Sequence, residues 1–324
     1  MVSCTSDGKK EAGNDKARKG ARSSGKTAEV IVSTNSEKRW EGVLGDTVRN
    51  FFAQEYQVLP QPEPIFEPVH VPIDKLESNK MFRAHHNILI LQADERITVP
   101  NIEIQEDPWA SPQTVVRITG NHDSVLTRIF YQNRDAIADA FIKSEYRRLG
   151  NLFYSFRDRK VMQKVKNTFG FSMDIPGGFY VATARDDFMW LRKETQKDSQ
   201  GIIIYSYDYT DTLAFNLNRI LSFRNNITRE FIPGPAEGSY MTIDRQFGPV
   251  VSEIVNLNGL YARETRGLWK LEGDFMGGPF VNYTFVDEKG QKVVAIDGYV
   301  YAPNAPKRDM MLQVGAIIHS LKFD

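Results

Sequence analysis

Cysteine is almost missing from this chain: 324 residues hold one, Cys4. That excludes a disulfide framework and any zinc site built on several thiolates. Long apolar runs are missing too. Nothing approaches the roughly 20 consecutive apolar residues that span a bilayer as a helix. Neither sign of charge is in excess, since 41 Lys and Arg balance 41 Asp and Glu. Histidine is scarce, at five, and His70, His85, His86, His122 and His319 form no i, i+4 pair around a glutamate. A Gly-x-Ser-x-Gly nucleophile elbow and a Gly-x-Gly-x-x-Gly dinucleotide turn are both absent. No cofactor is implied and no metal site is expected.

What is present starts with the position of the lone thiol. Val2-Ser3-Cys4 reads as the last three positions of a bacterial lipoprotein signal, with Cys4 as the lipidated residue. Residues 5 to 27 contain no Val, Ile, Leu, Met, Phe, Trp or Tyr. Such a stretch cannot bury enough apolar surface to offset its ordering entropy, so residues 1–27 are expected to form a disordered tether. Only three residues precede Cys4, so the basic start and apolar run of a signal are not there. The start was assigned too late, the chain was trimmed, or the thiol is incidental in a cytosolic protein.

Charge is unevenly spread. Residues 1–28 carry seven Lys and Arg against three Asp and Glu, a net of +4, which leaves −4 for the rest. A mildly acidic body argues against nucleic acid as a partner, because that needs a basic face. The basic tail suits an anionic membrane surface.

Apolar residues at 41% and aromatics at 11% are enough for a proper core. One unit recurs at 114–149, 202–229 and 293–321: an apolar strand, a polar turn, an amphipathic helix. This predicts an α+β fold, with amphipathic helices packed on one face of antiparallel or mixed sheets and two halves of similar style. The expected division is 28–150 and 151–324. Asp46 is expected to cap a helix, Gly150 to end the one that follows Asn121-His122-Asp123, and Gly170 to stop another. His85 and His86 are placed at a strand start, with side chains on opposite faces.

Two aromatic segments are candidate binding positions. Trp109 and Gln113 lie in the proline-bracketed loop Asp107-Pro108-Trp109-Ala110-Ser111-Pro112-Gln113. A Trp in a rigid loop stacks on a sugar or a peptide, or plugs a sheet edge, and the plug is the expectation here. In Asp187 to Glu194, alternation puts Phe188, Trp190 and Arg192 on one strand face and Met189 and Leu191 on the other. Both faces read as core, which leaves Trp190 and Arg192 as weak candidates. The glycine-bounded strand Gly267 to Gly273, with Trp269, reads the same way.

Several strings in combination resemble an uncharacterised family of Bacteroidetes envelope lipoproteins, catalogued as a domain of unknown function. They are the lipobox-like start, Ser24-Gly25-Lys26, Leu59-Pro60-Gln61-Pro62-Glu63-Pro64, Trp109 with Gln113, Phe188-x-Trp190-Leu191-Arg192, and Phe231-Ile232-Pro233-Gly234-Pro235. The resemblance covers roughly residues 24 to 324. It implies lipid attachment at Cys4 and a place in the cell envelope, at the inner or outer membrane, and it implies no activity. The reading that follows is a membrane-anchored, non-enzymatic binding or scaffolding protein whose partner is another envelope protein or a glycan. The alternative is an envelope hydrolase of unfamiliar type, with His85 or His122 brought to Glu63 or Asp107.

Overall fold

The computed structural model of the protein describes residues 21–287, 289 and 291–323. Along the first half run β1 (Ala21–Arg22), β2 (Glu29–Thr34), α1 (Glu37–Glu41), α2 (Val43–Phe52), β3 (Glu67–His70), α3 (Ile73–Ser78), α4 (Lys80–Arg83), β4 (Asn87–Ala93), β5 (Asn101–Glu106), β6 (Ala110–Ser111), β7 (Thr114–Gly120) and α5 (Asp123–Ser155). The apolar runs Val30 to Ser33 and Ile88 to Leu91 are short and almost fully buried, as suits strands covered on both faces. They build a five-stranded sheet in the order β3-β2-β4-β7-β5. Its pairings are parallel except for β5, which runs antiparallel to β7 at the edge.

Both faces of this sheet are covered. Val30, Val32, Leu89 and Leu91 face Phe52, Phe130 and Phe141 of α2 and α5. On the other side Ile31, Ile88, Ile90 and Val115 meet Leu76 and Phe82 from α3 and α4. The sequence pattern had suggested helices on one face only.

The second half contains α6 (Arg159–Phe169), β8 (Phe171–Ser172), β9 (Tyr180–Ala184), β10 (Phe188–Glu194), β11 (Ser199–Asp208), α7 (Leu217–Phe231), β12 (Tyr240–Asp244), β13 (Val251–Leu257), β14 (Leu260–Glu272), β15 (Gly277–Val286), β16 (Lys292–Tyr301), α8 (Arg308–Ile318) and β17 (Lys322–Phe323). Its eight-stranded sheet is antiparallel throughout, in the order β12-β14-β15-β16-β11-β10-β9, with β13 also paired to β14. The protein is therefore α+β, with one large mixed and one large antiparallel sheet beside the two-stranded pairs β1-β6 and β8-β17. One core runs through both halves, because Val32 and Phe141 belong to the same apolar cluster as Ile202, Ile296 and Val314. The far face of the antiparallel sheet is covered by α7, whose Leu221 packs with Trp190, Ile203 and Tyr299.

Local details correct several expectations. Residues 21–27 are mostly exposed but hydrogen-bonded to the folded body: Ala21 and Arg22 pair with Ala110 and Ser111, and the Ser24 carbonyl faces His86 Nδ1 at 2.7 Å. The earlier part of the expected tether, Cys4 included, lies outside the described residues. Helix α2 begins three residues before Asp46, which instead pairs with Arg49 in its first turn. Helix α5 runs through Gly150 to Ser155, because Leu149 and Phe153 are buried on the same stripe as Phe141. His85 and His86 precede β4, so strand alternation does not apply, and their rings stack at 4.5 Å. Gly170 does stop α6, at φ 77°, in the left-handed conformation that glycine adopts without strain. No helix among the described residues is long and apolar enough to cross a membrane.

Candidate functional site

Alternation along β10 turns Phe188, Trp190 and Arg192 toward α7 and sends Met189 and Leu191 into the main core. Register then matters. Arg192 pairs with Gly201 of β11, and Gly201 pairs with Tyr299 of β16. A Cβ on Gly201 would fall 2.1 Å from the Tyr299 ring, so the missing side chain lets that ring lie flat across the neighbouring strand. From there the Tyr299 hydroxyl accepts the indole N–H of Trp190 at 2.9 Å. Trp269 meets the Tyr299 ring edge to face at 5.4 Å and donates its own indole N–H to the Val300 carbonyl at 3.2 Å.

The segment after α7 closes this aromatic floor into a pocket. Ile232 and Gly234 are tied to Met241 and Ser239 by backbone hydrogen bonds of 3.0 and 2.9 Å. A Cβ on Gly234 would strike Ser239 Oγ at 2.3 Å, so only glycine lets the two prolines beside it stand so close to the sheet. The cavity is about 290 Å³. It is walled by Pro233 and Pro235, floored by Trp190, Trp269 and Tyr299, and rimmed by Arg192 and Ser199. Beneath it, Arg224 and Asp297 form a fully buried bidentate pair at 2.7 and 3.1 Å, and Arg224 stacks on Phe280 at 3.8 Å.

Two donors that line the pocket, and Arg224 Nη1 beneath it, have no acceptor among the described residues. Arg192 holds Glu194 through one Nη and lies 4.7 Å over the Trp190 ring, while its buried Nε makes no hydrogen bond. The Tyr299 hydroxyl accepts from Trp190 and donates to none of them, and burial pushes its pKa up, so it stays protonated. Buried polar groups are normally satisfied, and a donor left open costs free energy. The arrangement suits an apolar group that carries an oxygen acceptor: aromatic and proline walls take the body, and Tyr299 and Arg192 take the oxygen.

Trp109 and Gln113 are in the other half and do not join this pocket. Gln113 is fully buried and fully engaged: its Oε1 accepts from the Trp109 and Ala110 amides at 3.1 and 3.2 Å, and its Nε2 donates to the Arg83 and His85 carbonyls at 2.6 Å each. It is a latch, with nothing left for a ligand. The Trp109 ring is partly buried against the apolar cluster that contains Ile31 and Leu76, at the place a plug would occupy. Its indole N–H bonds to none of the described residues.

The pairs imagined for a hydrolase are not brought together. His85 contacts Glu29 at 2.9 Å; Glu63 accepts the Lys307 and Arg308 amides at 2.6 and 3.0 Å; Asp107 accepts from Gln113 N and pairs with Arg147. His122 sits exposed at the start of α5. Residues 20–27, Gly-Ala-Arg-Ser-Ser-Gly-Lys-Thr, match the phosphate-loop spelling and escaped the sequence analysis. Their described part leads into β2 and not into a helix, and Gly25 packs under the rings of His85 and His86, so the structural context that motif requires is missing. Tyr299 and Gly201 were missed as well. The one usable signal was a glycine inside an otherwise continuous strand.

A family model described as Domain of unknown function (DUF4837) matches residues 158–320, and another, described as Domain of unknown function (DUF8532), matches residues 23–154. No curated protein matches the chain. Among solved structures, a crystal structure from Bacteroides thetaiotaomicron VPI-5482 shares 8% identity over 48% of this chain and 45% of that one, at a TM-score of 0.28. The chain thus spans less than half the length of that protein. A mutant of the protein Mog1 shares 9% identity over 48% of this chain and 90% of that one, at a TM-score of 0.29. At such scores neither likeness carries an argument.

Proposed function

The chain belongs to the family described as Domain of unknown function (DUF4837), and from that premise we propose that it is a lipid-anchored envelope protein of Bacteroidetes type whose aromatic pocket binds a partner without chemistry. The partner is another envelope protein or a glycan. It presents an apolar group bearing a carbonyl or carboxylate oxygen, such as a peptide terminus or an acetamido group. One observation carries the reading. The strings Phe188-x-Trp190-Leu191-Arg192 and Ile232-Pro233-Gly234-Pro235, distant in sequence, meet around one cavity, whose lining includes Arg192, with its Nε unpartnered, and Tyr299, whose hydroxyl accepts from Trp190 and donates to none of the described residues. Attachment rests on Cys4 and the basic residues that follow it.

Isothermal titration with N-acetylphenylalanine, diacetylchitobiose and phenethylamine tests the pocket. One of the two acceptor-bearing compounds should bind, and which one does identifies the partner class. The amine should not bind. Tyr299→Phe should weaken binding about tenfold, the worth of one hydrogen bond. Equal binding of the amine, or no effect of Tyr299→Phe, would overturn the reading. For the anchor, Cys4→Ser should move the protein from the membrane to the soluble fraction of its native host, and unchanged fractionation would refute attachment there.

A further inference from the structure

A groove of about 1170 Å³ lies in the first half, between α2 and the first turns of α5. Its charge is at odds with the rest of the folded body. Residues 29–324 carry a net charge of −4. The groove is lined by Lys38, Arg39, Arg128 and Arg134 against a single acid, Asp123, which Arg39 already neutralises at 2.6 Å. Lys38 and Arg128 are exposed and have no acidic partner among the described residues. Between these cations, among polar side chains such as Asn50, Thr127 and Gln132, apolar surface is exposed: Val43 is 75% exposed and Tyr131 57%. Phe51 and Phe130 form a buried floor.

From this pairing of an apolar floor with uncompensated positive charge we propose that the groove docks an acidic amphipathic helix of a partner protein. A groove between two helices accepts the side-chain ridge of a third. Its apolar face would meet Val43, Tyr131 and the phenylalanine floor, while its acids pair with Lys38 and Arg128. Helix α2 has ten residues and is about 15 Å long, which matches three turns of such a partner.

A membrane surface has the same charge but fits the position less well. The groove opens at the carboxyl ends of the parallel strands, beside Ser36 and Asp123, where open sheets of this kind commonly bind ligands. The described chain enters at the opposite, amino ends, where Ser24 lies against His85 and His86. Strands of seven residues, about 20 Å, separate the two ends. The groove therefore lies at the end of the sheet remote from the point where the described chain enters.

Panning the full chain against a random peptide display library tests this. Wild-type protein should enrich acidic sequences with apolar residues at i, i+3 or i+4, and i+7. A synthetic peptide from that set should bind the Lys38→Glu/Arg128→Glu double variant at least tenfold more weakly, and its binding to wild type should weaken as salt rises. Both side chains are exposed, so the double variant should melt like wild type. If it does not, Lys38→Gln/Arg128→Gln replaces it in the same comparison. Enrichment of sequences without acids, no enrichment at all, or indifference to these substitutions would overturn the proposal. So would binding to phosphatidylglycerol vesicles that the double variant loses, which would assign the face to a membrane.

Discussion

His319 sits at the joint between the two sheets, and lowering the pH should loosen that joint by a calculable amount. Its ring stacks on Tyr146 of α5 at 4.4 Å and meets the edge of Tyr283 of β15 at 5.4 Å, with the Tyr283 hydroxyl 3.1 Å from Nε2. Burial pushes its pKa down from 6.5 to about 4; Glu264 pulls it back up, while Arg266 and Lys143 push it further down. A histidine with a lowered folded-state pKa takes up its proton in the unfolded chain first. Its contribution is therefore intact above pH 6.5 and is lost as the pH falls from there to about 4. A shift of this size has a ceiling of about 3 kcal/mol, of which roughly 2 kcal/mol should be gone by pH 4.5. His70 and His85 are shifted down too, by burial first, and will add to the acid loss of the wild type. Comparison with His319→Gln isolates the one ring. Urea unfolding followed by circular dichroism at pH 7.5 and 4.5 should give a smaller loss for the variant than for the wild type, by about 2 kcal/mol. Equal losses would refute the assignment, and so would an NMR titration that puts the His319 ring near 6.5.

Three further outcomes follow from buried polar contacts. Arg224→Met or Asp297→Leu alone should cost about 3–5 kcal/mol, because each strands a fully buried charge, whereas the double variant should cost much less than the sum; urea unfolding of all three decides. Glu63→Ala should lower stability by about 1–2 kcal/mol, since its carboxylate accepts the first amides of α8 from a segment some 240 residues away, and an unchanged melting temperature would show that water replaces it without loss. Truncation after Asn304 should unfold the second half, because Met311, Val314, Ile317 and Ile318 are all buried against the sheet, and a retained cooperative melt would contradict that.

Much of the architecture was legible because period and punctuation agreed. The alternation Phe188, Trp190, Arg192 against Met189, Leu191 assigned both faces of β10 correctly, and Gly170 marked the end of α6. Legibility failed where tertiary contact decided. Gly150 reads as a helix stop, but Leu149 and Phe153 gain enough from burial to carry α5 past it. Strand β5, Asn101–Glu106, is mostly exposed at a sheet edge and so carries little apolar signal. Parallel pairing of β2, β3, β4 and β7 depends on crossovers that no local pattern encodes. The pocket was the least legible part. Trp190 and Arg192 were visible as a strand face, but Tyr299 joins them only because three strands align and Gly201 leaves room. Gln113 shows the opposite case: a polar residue beside a tryptophan suggested binding, and burial made it a latch.

The four tryptophans allow the most direct test of the pocket. Each indole N–H gives one resonance in a proton–nitrogen spectrum, and only Trp190 and Trp269 line the cavity, while Trp40 and Trp109 lie in the other half. Titration with N-acetylphenylalanine or diacetylchitobiose should shift the Trp190 and Trp269 signals together and leave the other two in place. Shifts confined to Trp40 or Trp109, or no shift of any indole at millimolar ligand, would contradict the claim that this pocket is the binding site.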